Sequence, residues 1–206
     1  TFIHMHTGIK YYYEDVKFTK KLLKYNDKVN RFIWLSSSSI DEAKKLGFTK
    51  NEFVNNPLRF KTDIPNMLDQ KVITYVGRIS PEKRVPLLID IFNKSGLSKE
   101  GWTLKIYGSG DELNLEGSEN VLYLGPTDDV KCVLLNTSIF ALTSRFEGFS
   151  MVTLEAYECG VPVIAYNYGL SASEVMQNND TGLCIEMDNE EEYIYKLKDL
   201  CHNDSK

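Results

Sequence analysis

From Val72 onward the chain reads as an α/β domain on a Rossmann-like, doubly wound parallel sheet. Short apolar runs rich in Val, Ile, Tyr and Phe alternate with segments of helical periodicity. The turns between them are short and carry Gly, Ser or Pro. Several apolar runs open directly onto a turn that leads into a helix, the arrangement in which a parallel sheet presents its carboxyl edge to ligands.

The elements follow in order. Thr1-Phe-Ile-His-Met-His6 and Arg31-Phe-Ile-Trp-Leu35 read as strands, with a helix from Ser39 to Leu46 and a turn at Gly47. Between them, residues 14–29 place Phe18, Leu22, Tyr25 and Val29 on one helical stripe and Lys17, Lys20, Lys21, Lys24 and Lys28 on the other face. Such a helix either meets an anionic membrane surface or shows a solvated lysine face to water. Beyond the first 65 residues, strands are expected at 72–77, 102–107, 120–124, 138–143, 162–166 and 183–186. Helices are expected near 84–95, 110–116, 127–136, 150–160, 171–178 and 189–201, with Ser80 as cap and Pro81 in the first turn of the first of these.

Two junctions carry candidate chemistry. In Glu147-Gly-Phe-Ser-Met-Val-Thr-Leu-Glu155 an apolar strand gives way to a helix that Ser150 can cap, so unpaired amides at its start face an anion. Gly148 admits a close approach of backbone to a ligand. Glu155 lies too far into the helix to cap it, and a carboxylate there can accept two hydrogen bonds from a vicinal diol such as a ribose. The alternative is a pair of solvated glutamates at a helix entrance. At the second junction, after Val72–Gly77, Arg78 and Lys83 offer two cations to a diphosphate. Gly108-Ser-Gly110 is a further small-residue turn, without the third glycine of a dinucleotide fingerprint.

Taken together, Gly77-Arg78 with Glu82-Lys83, Tyr107-Gly108-Ser-Gly110, Tyr123-Leu-Gly125, Ser144-Arg-Phe-Glu147-Gly-Phe, Glu155-Ala, Gly160-Val-Pro-Val-Ile164 and Thr181-Gly-Leu183 resemble the retaining family 4 glycosyltransferases of GT-B fold. The resemblance runs from about residue 70 to 200 and implies a donor-binding domain over 66–206. Residues 1–65 would be the remnant of an acceptor domain and its linker, the chain being a fragment of a longer enzyme. It implies that Arg78, Lys83, Met151 and Val152 meet the donor diphosphate, that Glu147, Gly148, Phe149 and Ser150 meet the donor sugar, and that Glu155 holds the ribose. The base would lie by Tyr107, Gly108, Leu124, Gly125 and Pro126. Glu147 and a histidine after the first strand, His6 or its neighbour His4 on the same strand face, would be the catalytic pair. The stretch Tyr168–Glu174 matches the family's pattern only loosely.

The implied reaction moves a sugar from a UDP- or GDP-type donor to a glycan or lipid-linked acceptor in polysaccharide or glycoconjugate biosynthesis. No metal or other cofactor is expected, because fixed cations and a helix dipole can stabilise the leaving diphosphate. Two other readings stand beside it. A non-catalytic nucleotide-sugar-binding module would need the same donor residues and no acceptor site; a dinucleotide-dependent oxidoreductase has Gly108-Ser-Gly110 as its sole support.

Composition sets the bounds. The chain has 206 residues, 42% of them hydrophobic, and a net charge of −5, which disfavours a nucleic-acid partner. Cys132, Cys159, Cys184 and Cys201 show no paired metal-ligand spacing, and Cys159 and Cys184 read as buried free thiols in a reducing, cytoplasmic setting; peripheral contact with a membrane is the first of the two readings of the lysine-rich segment.

Overall fold

The computed structural model describes residues 1–6, 8–64, 66, 68–176 and 182–202. They form two compact units. The first comprises Thr1–Pro57 with two later segments, Phe146–Met151 and Tyr168–Val175, and the second comprises Leu58–Arg145, Val152–Asn167 and Met176–Lys206.

The first unit holds β1 (Phe2–Met5), α1 (Ile9–Glu14), α2 (Val16–Leu23), β2 (Arg31–Trp34), α3 (Ser39–Lys45) and β3 (Asn51–Phe53), with the strands in a parallel sheet ordered β1-β2-β3. Its core gathers Met5, Ile9, Tyr12, Val29, Phe32, Trp34, Ala43 and Phe48. The aromatic members meet edge to face, Phe32 and Trp34 lying 4.8 Å and 5.4 Å from the Phe48 ring, a geometry that suits the ring quadrupoles.

The lysine-rich segment departs from the expected single helix. It is helical only to Leu23, and turns carry the chain on to Val29. Asp15 caps α2 by accepting from the Phe18 amide, and Thr19 is the helix's buried residue, donating to the Tyr12 carbonyl at 2.6 Å. Phe18 remains 40% exposed, and Leu22 and Leu23 make the contact with the core. The stripe is rotated because α1, which precedes Asp15, already fills the space Phe18 would have taken with Ile9 and Tyr12. Lys17, Lys20, Lys21, Lys24 and Lys28 are all exposed.

The second unit carries β4 (Val72–Val76), α4 (Val85–Ser95), a 3-10 turn (Leu97–Glu100), β5 (Thr103–Tyr107), β6 (Val121–Gly125), α5 (Val130–Leu135), β7 (Ile139–Leu142), β8 (Val163–Tyr166), β9 (Gly182–Ile185) and α8 (Glu190–His202). Helix α6 (Met151–Glu158) follows β7, and α7 (Leu170–Val175), which follows β8, belongs with the first unit. All six strands are parallel, in the order β6-β5-β4-β7-β8-β9. This is the doubly wound α/β arrangement expected. Strands β4 and β7 are buried throughout or nearly so, as a sheet covered on both faces requires.

Two expectations fail here. Residues 110–116 are not helical: the Asp111 amide donates to the Ile79 carbonyl at 2.8 Å, and Asn114 forms a side-chain turn with the Glu116 amide. Leu113 and Leu115 are spaced by two, so no apolar stripe exists to hold a helix on the sheet. Pro81 lies in a turn and outside α4, which begins at Val85 with Pro86 in its first turn. The buried Thr143 hydroxyl donates to the Lys83 and Arg84 carbonyls, the Arg145 amide donates to the Glu82 carbonyl, and Arg84 turns left-handed at φ 55°. With the Glu82 and Lys83 carbonyls engaged elsewhere, the helix starts from the Arg84 carbonyl, which accepts from the Leu87 and Leu88 amides. The expected helix at 171–178 is present to Val175; Gln177, Asn178 and Thr181 lie outside the described residues, as does Pro65 of the expected linker.

Candidate active site

The strand order of the second unit reverses between β4 and β7. The chain winds outward from β4 through β5 to β6, then returns to the other side of β4 and winds through β7, β8 and β9. The carboxyl ends of β4 and β7 therefore flank the topological switch point, the crevice where open α/β sheets bind ligands. Arg78 and Lys83 follow β4; Val152 and Glu155 lie on the helix that follows β7.

The turn after β4 is anchored on several sides. The buried Tyr75 donates its hydroxyl to the Arg78 carbonyl at 2.6 Å, while Thr143 and Arg145 hold residues 82–84 as described. Arg78 extends its guanidinium into solvent, 77% exposed, with a 3.4 Å contact to Glu82 one helical turn away in sequence. Burial pushes the Glu82 carboxyl up, but its own backbone amide and the charges of Arg78 and Lys83 outweigh that and hold it below the usual range. Arg84, the third cation of the turn, is committed elsewhere: its guanidinium meets Asp188 at 2.6 Å and lies over the Tyr166 ring.

The turn at Gly108-Ser-Gly110 packs on this same segment. The Gly77 amide donates to the Tyr107 carbonyl, the Ile79 amide to the Ser109 carbonyl, and Ile79 forms a parallel bridge with Gly110. A Cβ on Gly108 would lie 1.7 Å from the Gly77 carbonyl oxygen, and one on Gly110 would lie 1.9 Å from that of Ile79. These glycines let the β4 and β5 backbones continue their ladder beyond the strand ends. The Gly108 amide in turn donates to the Gly125 carbonyl at 2.9 Å, which joins the two stretches assigned to the base, Tyr107-Gly108 and Leu124-Gly125-Pro126. Tyr107 is half-buried, and Leu124 and Pro126 are exposed.

Glu155 is fully buried, and Arg59 closes on it in a fork: Nε to Oε1 at 2.5 Å and Nη2 to Oε2 at 2.7 Å. Sequence reasoning missed Arg59. Its partner lies 96 residues away, and the signal, an arginine in Leu58-Arg-Phe just before the domain, is too short to read without the fold. The carboxylate also explains the arginine's pKa, which hydrogen bonding to Glu155 raises further.

In the first unit, Phe146–Met151 forms a half-buried loop ending at the start of α6. It presses its backbone against the chain leaving β1. A Cβ on Gly148 would stand 2.1 Å from the His6 carbonyl oxygen, and one on Gly8 would stand 2.2 Å from that of Glu147. Each glycine thus vacates the space the opposite segment needs, and the contact brings the backbones of His6 and Glu147 together. Phe146 packs edge-on to Tyr11 with Lys10 over its ring. His4 and His6 are both exposed, their rings 5.3 Å apart. Phe149 is half-buried and Ser150 buried, and Met151 and Val152 open α6, where backbone amides lack intrahelical partners.

Residues 58–206 match the family model described as Glycosyl transferases group 1. The chain belongs to this family. Among curated relatives, the glycosyltransferase group 1 chain is 33% identical over 147 residues to N-acetylgalactosamine-N,N'-diacetylbacillosaminyl-diphospho-undecaprenol 4-alpha-N-acetylgalactosaminyltransferase of Campylobacter jejuni, covering 66% of this chain and 39% of that protein. It is 26% identical over 206 residues to the poly(ribitol-phosphate) alpha-N-acetylglucosaminyltransferase of Staphylococcus aureus, covering 91% of this chain and 40% of that protein. The chain therefore spans about two fifths of the length of these relatives.

Solved structures agree on the fold. A variant of S. aureus TarM, crystallised with fondaparinux, alpha-GlcNAc-glycerol and UDP, superposes with a TM-score of 0.84 at 22% identity, over 98% of this chain and 44% of that one. Anabaena HepE in complex with UDP and glucose gives 0.81 at 20%, over 98% and 62%. The glycosyltransferase group 1 chain thus has the Rossmann-like α/β architecture of GT-B glycosyltransferases. No described helix is long and apolar enough to cross a membrane, and no group of three or more His, Cys, Asp or Glu among the described residues could hold a metal ion.

Proposed function

We propose that this chain carries the donor-binding part, over residues 66–206, of a retaining glycosyltransferase that takes its sugar from a nucleoside diphosphate of the UDP or GDP type. The observation that carries the reading is the sorting of chemistry at the switch point: the solvent-directed Arg78 guanidinium and Lys83 follow β4, and a buried carboxylate on α6 follows its neighbour β7. Cations suit a diphosphate and a carboxylate suits a diol, in the order a nucleotide sugar presents them. The UDP in the complexes of the structural neighbours, and the poly(ribitol-phosphate) and diphospho-undecaprenol in the names of the relatives, favour a donor of this kind and a glycan or lipid-linked acceptor.

Breaking the bond between the anomeric carbon and the diphosphate oxygen leaves negative charge on the diphosphate and positive character on the sugar. In this reading Arg78, Lys83 and the amides of Met151 and Val152 stabilise the departing diphosphate through charges already in place, without a metal ion. Glu155 holds the ribose hydroxyls, and Tyr107, Gly108, Leu124, Gly125 and Pro126 meet the base. Gly148, Phe149 and Ser150 offer backbone atoms to the sugar. Glu147 contacts the sugar and His6 serves the same step; Glu147 is no half of a glycosidase carboxylate pair, since retention here follows from attack on the face the diphosphate leaves.

Calorimetry with UDP, GDP and ADP tests the donor assignment. Arg78→Ala and Lys83→Ala are each expected to weaken binding of the preferred diphosphate by about tenfold or more, as loss of a charged hydrogen bond would. Unchanged affinity in both variants would refute the clamp.

A further inference from the structure

We infer that Arg59 is a positioning residue for nucleotide recognition, fixing the aim of the Glu155 carboxylate and so the preference for ribose over deoxyribose; the inference rests on the proposed assignment of Glu155 to the ribose. A carboxylate taken wholly out of water is costly to hold in place unless a cation faces it. Arg59 supplies that cation, at 2.5 Å and 2.7 Å to the two oxygens.

The hydrogen-bond count then closes. A carboxylate offers about four acceptor positions, two on each oxygen. The guanidinium fork fills one on each oxygen and leaves one on each, the number that the two hydroxyls of a vicinal diol would fill. A fork also fixes the plane of the carboxylate, which a single ammonium does not.

Arg59 is itself held in place. Its segment runs along α6 with matched spacing: the Thr62 amide, three residues after Arg59, donates to Glu158, three residues after Glu155, at 2.8 Å. Lys131 donates to the Lys61 carbonyl at 2.9 Å and lies over the Phe60 ring. The Arg59 side chain is 58% exposed, so it stands at the surface and delivers its charge inward.

The test is calorimetry of the wild-type chain, Arg59→Ala and Arg59→Lys with UDP, GDP, ADP and the 2′-deoxy form of each. The wild type is expected to bind its preferred ribonucleotide about tenfold more tightly than the deoxy form, because a buried acceptor left unfilled is costly. Arg59→Ala should bring that ratio close to one, and Arg59→Lys, which keeps the charge and loses the fork, should give an intermediate ratio. A purely structural role would weaken both ligands equally and leave the ratio alone, which would overturn the inference. Tighter ribonucleotide binding in Arg59→Ala would also overturn it, by showing that Arg59 plugs the carboxylate. If Arg59→Ala does not fold, an unchanged ratio in Arg59→Lys overturns it equally. Failure of the wild type to bind any diphosphate would strike the donor assignment itself, and this inference with it; a wild-type ribose preference that survives substitution strikes Arg59 alone.

Discussion

Glu155 in the six-stranded unit and Glu174 in the three-stranded unit are both drawn out of water, the first completely and the second in part, and their partners differ in kind. Glu155 faces a guanidinium. Glu174 is met by neutral donors: the Ser37 amide and hydroxyl reach Oε1 at 3.2 Å and 3.1 Å, and the Ser38 amide and hydroxyl reach Oε2 at 3.1 Å and 2.8 Å. Four neutral dipoles suffice where water still reaches the group. Where it does not, desolvation of the anion outgrows what dipoles return, and a full charge is needed. The two carboxylates show how burial, and not residue type, decides the partner a glutamate requires.

The glycine contacts of the two units allow the largest effect. Gly108 has both a crowded Cβ position, 1.7 Å from backbone oxygen, and φ +151°, whereas Gly148 has the crowding at 2.1 Å without a positive φ in the left-handed range. Gly108→Ala should therefore cost about 3 kcal/mol or more in denaturant unfolding, and Gly148→Ala less, with its damage at the contacts with His6 and Leu35. Equal costs would show that steric contact alone governs both sites.

The carboxylates come next in size. Arg59→Ala leaves a buried charge without its counter-ion and should lower stability by roughly 2–3 kcal/mol, below the full cost of breaking a buried pair because the arginine is largely exposed. Glu174→Ala should cost about 1 kcal/mol, since Ser37 and Ser38 regain water when their acceptor goes. Urea midpoints of the two variants measure the difference, and a larger loss in Glu174→Ala would reverse the comparison.

Acidification gives the smallest effect. Burial pushes the Glu174 carboxyl up, and the hydrogen bonds from Ser38 and Ser37 outweigh it and hold the pKa below its usual value of 4.5. The folded state then binds fewer protons than the unfolded one between the two pKa values, so this stabilisation is complete above the unfolded pKa and is lost as pH falls through the folded one. The Tm gap between wild type and Glu174→Ala should be constant from pH 7 down to about 5 and shrink below that. A gap that widens on acidification would mean the carboxyl binds its proton more readily when folded.

Local pattern alone determined most of the second unit. Each expected strand lies within a residue or so of β4 to β9, because a buried parallel strand must be apolar on both faces and its turns must carry residues that bend. The placement of Arg78, Lys83 and Glu155 after β4 and β7 was legible for a related reason: a strand-to-helix junction is a local event, and charged residues there stand out. The failures were equally physical. Residues 110–116 resembled a helix only until the ladder between Ile79 and Gly110 claimed their backbone, and the stripe of α2 turned once α1 occupied the core. Tertiary structure alone decided that Arg59 meets Glu155, that Gly148 makes room for His6, and that Ser37 and Ser38 hold Glu174. Such pairs are separated by about a hundred residues or more, and no periodicity encodes them. They exist because folding excludes water from particular polar atoms, and each excluded atom must then find whatever donor, acceptor or charge the fold has placed beside it.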